Sequence, residues 1–492
     1  MPTTRSVRAL FQALILLSAI LLLLVGFGYY EQGYTLQKFQ QIAGSVRLPG
    51  VGSHPAEVAA PSASAESVAS IASIASVAPT TSAVPQPSTP AKPAETPVAE
   101  ADKNEKVEEA PQKLPAGDPV LLEQAQTYVK SIMDFKRKGL QRLECPALDE
   151  NRFAYLRPQA GSRPKYFFAL DLYKIRELLP STLGAIVETM KFLGPKNCVL
   201  SIVEGRSTDG TYEVLKELEK EITKLGSRYF LQTSDINPKG EKVDRIKALA
   251  ELRNMAMKDL IDNPEHYAEN TTVIFSNDVS LCPEDVLELL HQRVYQGADH
   301  VCAMDWRATE DPTFYDVWIA RDMSGDTFFR IEDNGAWTHV NALFPGHPAT
   351  LVRYNERKPF QVFSCWNGIV AFTAEPIMQK TIKFRGHYKG EAFQGEPKLF
   401  DKDLWYYGYG KIAVVPSVNV AYDNPDNAIY VKKTKGYASE SFKNETPDHK
   451  INWDPAPPAL VKHMPTHTRQ KFIPWDEGLP EKTELKVAKS GS

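Results

Sequence analysis

The sequence predicts an α/β protein whose folded part is a doubly wound, mostly parallel sheet, placed behind an N-terminal membrane anchor and a disordered stalk. Three features of the 492 residues predict it: an uncharged apolar run, a long segment rich in Ala, Ser and Pro, and apolar strand-like runs that alternate with amphipathic helices. Such alternation is typical of a sheet covered by helices on both faces. The formal net charge of −4 offers no broad basic surface, so we expect no nucleic-acid partner.

The apolar run spans residues 9–30 and contains no charged side chain. At about 1.5 Å per residue, a helix of this length crosses roughly 30 Å of hydrocarbon. A cleavable signal peptide is the alternative, but its apolar region is usually about 7–15 residues long. Arg5 and Arg8 precede the run, so we expect residues 1–8 to be a cytosolic tip and the remainder of the chain to be lumenal or extracellular.

Residues 31–119 are predicted to form a low-complexity stem, because their Ala, Ser, Pro, Val and Glu residues bury too little apolar surface to offset chain entropy. Residues 120–164 then form a neck, and the Lys-containing end at 474–492 is predicted to be disordered. An odd number of cysteines follows the stem, which in an oxidising lumen permits at most two internal disulfides and leaves the pairing open. These cysteines are Cys145, Cys198, Cys282, Cys302 and Cys365.

Strands and helices alternate from residue 166 onward. Apolar runs predict strands at residues 166–170, 198–203, 229–233 and 272–276. Three- and four-residue apolar spacing predicts the helices between and after them. These are a helix opened by Pro180, one capped by Ser207 or Thr208 and ended by Gly226, one carrying Ile246 to Leu260, and one at 283–296.

Ligands of such sheets gather outside the carboxyl ends of the strands. The second predicted strand runs into the turn 203–211, with the sequence V-E-G-R-S-T-D-G-T, and the fourth runs into 275–279, with the sequence F-S-N-D-V. The sequence contains neither a G-x-G-x-x-G nor a G-x-x-x-x-G-K-[ST] motif, which argues against a dinucleotide-binding or P-loop protein.

These segments resemble motifs of nucleotide-sugar-dependent glycosyltransferases of the A-type fold. The turn 203–211 is similar to their V-D-D-G-S-T-D-G-T turn, residues 250–254 are similar to their A-x-x-R-N helix, and 275–278 falls where a metal-binding D-x-D stands. The chain resembles more closely the fungal capsule-associated, cryptococcal α-1,3-mannosyltransferase family, over about residues 165–422. That resemblance also includes F-Y-D-V-W at 314–318, F-S-C-W-N-G at 363–368 and D-L-W at 403–405.

The resemblance implies a type II membrane protein of the Golgi that transfers mannose from GDP-mannose to a glycan acceptor, with a divalent metal such as Mn²⁺ and retention of anomeric configuration. The strand-end motifs indicate a nucleotide-sugar-binding half at 165–300, and the Trp residues interleaved with acids indicate an acceptor-binding half at 301–473. Two alternatives stay open: the same fold with another donor, such as UDP-xylose or UDP-glucose, and a catalytically silent, membrane-tethered glycan-binding or capsule-assembly factor.

Candidate site residues follow from the same motifs. Asp278 and Asn277 are the candidate metal ligands, although one carboxylate and one amide are a weaker set than two carboxylates. Glu204, Arg206 and Arg253 are the candidate donor-binding residues, with Asn277 and Asp278. The structural alternatives are a helix cap for Asp278, a turn hydrogen bond for Glu204 and a solvated helix position for Arg253.

The candidate catalytic acids are Asp305, Glu396 and Asp403. Retaining transfer needs either a nucleophile on the far face of the sugar or a front-face mechanism. The spacing of the three acids does not indicate which acid would act. All Trp residues lie beyond residue 305, where aromatic faces could stack on sugars or simply pack in the core. Trp306, Trp366 and Trp405 are the candidates because each lies beside or near a candidate polar residue.

Overall fold

The structure is a computed structural model that describes residues 114–158, 163–442 and 445–480, all of which belong to one compact unit, Asn104–Ser492. The predicted cytosolic tip, the anchor at 9–30, the stem up to residue 113 and the tail beyond residue 480 lie outside the described residues. Within the described ranges, no helix is both long and apolar enough to cross a membrane.

A nine-stranded sheet forms the centre of the domain, and a two-stranded sheet lies apart from it. The strands are β1 (Tyr166–Leu172), β2 (Cys198–Glu204), β3 (Arg228–Thr233), β4 (Thr272–Ser276), β5 (His300–Arg307), β6 (Thr313–Phe314), β7 (Phe360–Gln361), β8 (Ile369–Thr373), β9 (Ile412–Ala421), β10 (Leu460–Thr466) and β11 (Arg469–Pro474). The order in the large sheet is β3-β2-β1-β4-β8-β5-β9-β7, with β6 paired to β5.

The sheet is mixed, which corrects the expectation of a mostly parallel one. Strands β1 to β4 are parallel, as predicted for the doubly wound half. Strand β8 runs antiparallel to both of its neighbours, β4 and β5, while β5 and β9 are parallel. The chain reaches β8 from β5 through a long connection with little regular structure rather than through a single crossover helix, so no helical crossover imposes a parallel direction on β8.

Helices cover both faces of the sheet. They are α1 (Pro119–Met133), α2 (Glu150–Phe153), α3 (Leu179–Leu193), α4 (Thr211–Leu225), α5 (Arg245–Ala256), α6 (Lys258–Asp262), α7 (Pro283–Gln296), α8 (Pro348–Asn355), α9 (Glu375–Met378), α10 (Glu396–Tyr407), α11 (Pro425–Lys435) and α12 (Ser439–Phe442). Alternate residues of β1 enter two different cores: Phe167 and Ala169 lie in one, Phe168 and Leu170 in the other. This alternation is expected of a strand buried on both faces.

Most predicted element boundaries fall within two residues of those in the structure, but helix α4 begins later than predicted. Its N-cap is Gly210, at φ 98°, and not Ser207 or Thr208. The Asp209 carboxylate stabilises the turn before α4, because it accepts hydrogen bonds from the backbone N–H groups of Thr211 and Arg176. The predicted helix from Ile246 to Leu260 is divided at Met257 into α5 and α6.

The cysteines form two disulfides, Cys145–Cys282 and Cys302–Cys365, and leave Cys198 as a buried free thiol. This agrees with the limit of two bridges set by an odd count.

The start of the predicted disordered tail is ordered. Within 474–480, the Glu477 carboxylate accepts a hydrogen bond from the Ala392 backbone N–H, and the Glu477 carbonyl accepts one from Lys402. These contacts secure the segment to the folded domain, so residues 474–480 are not part of a disordered tail.

Candidate active site

One edge of the sheet collects most of the predicted site residues. Because β1, β2 and β4 are parallel and β8 is reversed, the carboxyl ends of β1, β2, β4, β5 and β9 share this edge with the amino end of β8. Glu204 ends β2, Asn277 and Asp278 follow β4, and Asp305 lies near the end of β5. We refer to this edge as the crevice.

Arg253 lies in the crevice, but it is buried rather than solvated. Its Nε donates to Glu396 Oε1 at 3.0 Å, and its Nη1 lies 3.9 Å from Asp171 Oδ1. Its guanidinium also lies over the Trp366 ring, 4.4 Å from the ring centroid. Burial opposes the Arg253 charge, but the Asp171 and Glu396 carboxylates prevail and raise its pKa. The Nη1 atom is buried without a hydrogen-bond partner among the described residues.

Asp171 is a site residue that the sequence did not single out. It occupies the penultimate position of β1, and its side chain is 16 % exposed. Burial raises the pKa of Asp171 to about 6, although Arg253 acts in the opposite direction and Glu396 and Asp278 add to the rise. A single acid within an otherwise apolar strand, close to the strand's end, was the signal that could have identified it.

Asn277 belongs to a hydrogen-bonded chain that crosses the floor of the crevice. Trp366 Nε1 donates to Asn277 Oδ1 at 3.0 Å, and Asn277 Nδ2 donates to the Tyr422 hydroxyl at 3.2 Å. The Tyr422 hydroxyl in turn donates to Asp305 Oδ2 at 3.2 Å. The amide of Asn277 is thus engaged by protein at both ends, which makes it a positioning residue rather than a free metal ligand.

Asp305 is fully buried and lies beside a second acid, Asp316. Its Oδ1 accepts a hydrogen bond from the Asp316 backbone N–H at 3.2 Å. Burial, reinforced by the Asp316 carboxylate, raises the pKa of Asp305 well above its usual range, and burial raises that of Asp316 to about 6. Asp305 is therefore enclosed by protein groups and presents no free carboxylate to solvent.

Asp278 differs from every other predicted acid because its side chain is exposed. It makes no hydrogen bond or ion pair with any other residue in the described ranges. It is not the cap of α7, whose N-cap is Cys282. Surrounding protein nevertheless displaces water from the Asp278 carboxylate and raises its pKa, and the nearby Asp423 carboxylate adds to the rise. Asp423 is itself exposed and adopts a positive φ of 76°.

The two remaining donor-binding candidates shape the turn after β2. Glu204 is fully buried, and its two carboxylate oxygens accept hydrogen bonds from the backbone N–H groups of Arg206 at 2.8 Å and Ser207 at 2.6 Å. Both oxygens therefore serve the turn, as in the structural alternative. Arg206 has a positive φ of 59° and pairs with Asp235 at 2.6 Å on the exposed rim of the domain.

The structure separates the other two catalytic candidates. Glu396, at the start of α10, is held against Arg253 in the crevice. Asp403 lies two turns further along α10 and forms two hydrogen bonds with Arg385, at 2.7 and 2.8 Å, within a buried network that includes Glu391 and Lys402. Asp403 therefore stabilises the packing of α10 and does not join the crevice.

The loop before β8 closes the crevice floor and depends on one glycine. Gly368 has φ 84°, and a Cβ placed on it would lie 2.9 Å from Val420 and 3.1 Å from Val279. The loop also carries Trp366, and its Cys365 is bonded to Cys302 of β5. All three candidate Trp residues are buried, so Trp306 and Trp405 pack in the core, while Trp366 contacts the site through its ring and its indole N–H.

Two clusters of metal-ligand type occur in the described ranges, and both lie outside the crevice. One joins His300 to Cys302 and Cys365, which are consumed by a disulfide. The other joins Glu288, His291 and Glu445, whose carboxylates pair with Arg152. A surface cavity of about 470 Å³ lies along α5 and α6, and its lining in the described ranges includes none of the predicted site residues.

The family is decided by comparison with known proteins. The family model described as "Cryptococcal mannosyltransferase 1" matches residues 165–403. The chain is also 33 % identical over 328 residues to the α-1,3-mannosyltransferase CMT1 of Cryptococcus neoformans var. neoformans serotype D, covering 63 % of this chain and 70 % of that protein. The chain belongs to the cryptococcal mannosyltransferase family. The predictions of the family and of a glycosyltransferase that acts as a mannosyltransferase are thereby confirmed.

Two solved structures are also similar to the chain described here. TarS 1–349 of S. aureus is 13 % identical, with a TM-score of 0.32, over 55 % of this chain and 64 % of its own. The mannosyltransferase PcManGT of Pyrobaculum calidifontis, solved with GDP-Man and Mn²⁺, is 14 % identical, with a TM-score of 0.30, over 61 % of this chain and 65 % of its own.

Proposed function

We propose that the protein transfers mannose from GDP-mannose to a glycan acceptor, with an α-1,3 linkage and retention of configuration, on an A-type glycosyltransferase fold. We also propose that it is a single-pass type II protein of the Golgi membrane, anchored through residues 9–30. Family membership and the name of the cryptococcal relative support the sugar and the linkage. The uncharged N-terminal run supports the anchor.

The observation that carries the proposal is the exposed Asp278 carboxylate at the end of β4. It stands at the strand edge where α/β sheets bind their ligands, and no other described residue bonds to it. Around it, the crevice is built from buried groups that are already paired, such as Arg253 with Glu396. An unpaired carboxylate whose neighbouring groups are already paired with one another is suited to bind a cation.

The protein groups fit a divalent metal such as Mn²⁺ that bridges donor phosphates. Mg²⁺ and Mn²⁺ prefer carboxylate, carbonyl and water ligands, and Mg²⁺ usually uses only one or two protein carboxylates together with substrate phosphates. Asp278 would hold the metal, with Asp423, whose carboxylate acts on that of Asp278, as a candidate second carboxylate. When bound, the metal neutralises the charge that develops on the departing nucleoside diphosphate.

Retention of configuration is best explained by a front-face transfer. A double displacement needs a free carboxylate, whereas Asp305 is buried and hydrogen-bonded to Tyr422 and to the Asp316 backbone, and Glu396 and Asp403 are held by arginines. In the front-face reaction, the bond from sugar C1 to the donor phosphate oxygen breaks as the bond from C1 to the acceptor oxygen forms. The proton of the acceptor hydroxyl goes to a phosphate oxygen of the departing GDP.

The experiment measures GDP release and mannose transfer by the purified full-length protein, with GDP-mannose, Mn²⁺ and a mannose disaccharide acceptor. Asp278→Asn should abolish both activities, because it removes the exposed charge at no cost in volume. Glu123→Gln is the matched control, since Glu123 is an exposed acid on α1 whose loss should change neither activity. Turnover by Asp278→Asn at the wild-type rate would refute the metal assignment.

The same preparation separates the alternative donors. A ligand that binds the native state raises its stability by RT ln(1 + [L]/Kd), so GDP with Mn²⁺ should raise the melting temperature more than UDP with Mn²⁺. A larger rise in melting temperature with UDP than with GDP would show that the donor is a UDP-sugar and not GDP-mannose. If the wild-type protein neither binds nor turns over any nucleotide sugar but still binds glycans, the protein is the catalytically silent factor instead.

A further inference from the structure

A second group of side chains borders the crevice without belonging to the proposed donor site. Arg307 is the last residue of β5, two positions after Asp305, so both side chains leave the same face of the strand. Its guanidinium lies 5.2 Å from the Tyr315 ring centroid and 5.0 Å from the Trp337 ring centroid. The Tyr315 ring centroid lies 4.7 Å from that of Tyr422, with the two rings tilted by 40°, and Tyr315 is 40 % exposed. We call Arg307, Tyr315 and Trp337 the Arg307 platform.

The Arg307 guanidinium has no charged partner within the part of the chain that the structure describes. Its side chain is exposed and makes ring contacts there, but it makes no hydrogen bond or ion pair. The charge still acts on its surroundings, because burial and then Arg307 lower the pKa of His467, whose ring lies 5.2 Å from that of Trp337. The platform therefore combines exposed aromatic surface with one available cation.

This combination fits one class of ligand. Aromatic rings offer flat apolar faces on which sugar rings stack, and a guanidinium binds an oxyanion through parallel N–H donors. We propose that the Arg307 platform binds an acceptor sugar that carries an anionic group, and that Arg307 selects this acceptor over a neutral one. The proposal rests on the proposed function, because the acceptor is the one used in the same transfer. A uronate carboxylate and a phosphate ester are the two sources of that charge.

The position of the platform assigns it to the acceptor rather than to the donor. The donor candidates end or follow β2, follow β4 or lie on α5, whereas Arg307 lies on β5, which β8 separates from β4. Neighbouring strands are about 4.7–4.9 Å apart, so Arg307 leaves the sheet roughly 10 Å from the strand of Asp278. Tyr315 and Tyr422 connect the two places, since the Tyr422 hydroxyl bonds to both Asn277 and Asp305.

The test uses three acceptors that differ only at C6 of one sugar: a mannose disaccharide, the same disaccharide oxidised to the uronic acid, and the same disaccharide phosphorylated at C6. Mannose transfer by the full-length protein in detergent gives KM for each acceptor. The wild type should show a KM about 10- to 100-fold lower for an anionic form than for the neutral one, as expected of a charge-assisted pair. The anionic form with the lower KM identifies the charged group.

Arg307→Gln should raise KM for the preferred anionic acceptor by about the same factor, and should raise it far more than KM for the neutral acceptor. Arg307→Lys, which keeps the charge but loses the planar fork, should fall between the two. Arg137→Gln is the matched control, because it removes an exposed guanidinium beyond α1. Equal KM values for the three acceptors with the wild type, or equal effects of Arg307→Gln on all three, would overturn the proposal.

GDP release with the neutral disaccharide acceptor, together with the stability gained from GDP-mannose, distinguishes this proposal from the proposed function. If the wild type releases no GDP from GDP-mannose and gains no stability from it, the proposed function fails first. If donor turnover is normal and the anionic preference is missing, only the role of the Arg307 platform is wrong.

Discussion

Asp171 gives the sharpest prediction about stability. Replacing it by Asn mimics the protonated acid without changing its size. In the folded protein, burial raises the pKa of Asp171 from the ordinary 3.8 to about 6. Each pKa unit corresponds to 1.36 kcal/mol, so keeping this carboxylate ionised in the fold costs about 3 kcal/mol. We expect Asp171→Asn to stabilise the domain by up to about 3 kcal/mol at neutral pH.

The pH dependence of this gain follows from the direction of the pKa change. Because the folded pKa lies above the unfolded one, the folded protein binds more protons between about pH 4 and pH 6, and its stability falls as the pH rises through that window. The Asn variant lacks this loss. Its advantage should be near zero at pH 4, grow up to about pH 6 and remain constant above it.

Chemical denaturation of an Asn104–Ser492 fragment, followed at several pH values between 4 and 7.5, measures this gain. Asp333→Asn provides the control, because Asp333 is exposed and its replacement should change stability little at any pH. A destabilised Asp171→Asn protein at pH 7, or a gain equally large at pH 4, would show that the Arg253–Asp171 pairing outweighs the desolvation of the acid.

Three further predictions concern the surroundings of the crevice. Arg385→Met leaves the Asp403 and Glu391 carboxylates buried without their arginine and should lower the free energy of unfolding by about 3–5 kcal/mol. The double variant Arg385→Met, Asp403→Leu should recover part of this loss in the same denaturation assay. Gly368→Ala should cost about 2–4 kcal/mol, from its positive φ and the contact with Val420, and should weaken donor binding in calorimetry; unchanged stability would contradict the geometry. Replacing Cys302 and Cys365 by Ser opens a loop between residues 63 positions apart and should cost about 2–5 kcal/mol, measured by thermal unfolding, while Cys198→Ser should cost far less.

The sequence predicts the first half of the fold well because each element there carries its own signal. Strand β4 and helix α7 have the predicted bounds, since buried apolar runs and helical spacing are local properties. The direction of β8 is not local: it is set by partners β4 and β5 and by the loop before it. That is why the mixed sheet did not follow from the pattern of strands and helices.

The candidate site shows the same division. Asp278 is found from its place after an apolar strand, and its exposure agrees with that reading. The state of Asp305 depends on the Tyr422 hydroxyl, which is 117 positions away in the sequence, and on the Asp316 backbone, and no local pattern indicates that these groups meet Asp305. Asp403 has the right residue type in a matching D-L-W motif, yet its arginine partner turns it inward. Side-chain pairing across the fold decides these roles, and spacing along the chain does not reveal it.

The Cys302–Cys365 bridge has a practical consequence for making the protein. It links the loop that carries Trp366 and Gly368 to strand β5, at the floor of the crevice. Expression in a host compartment that keeps thiols reduced would deliver a chain whose crevice floor lacks this fastening. We therefore expect specific activity, and not only yield, to depend on an oxidising expression host.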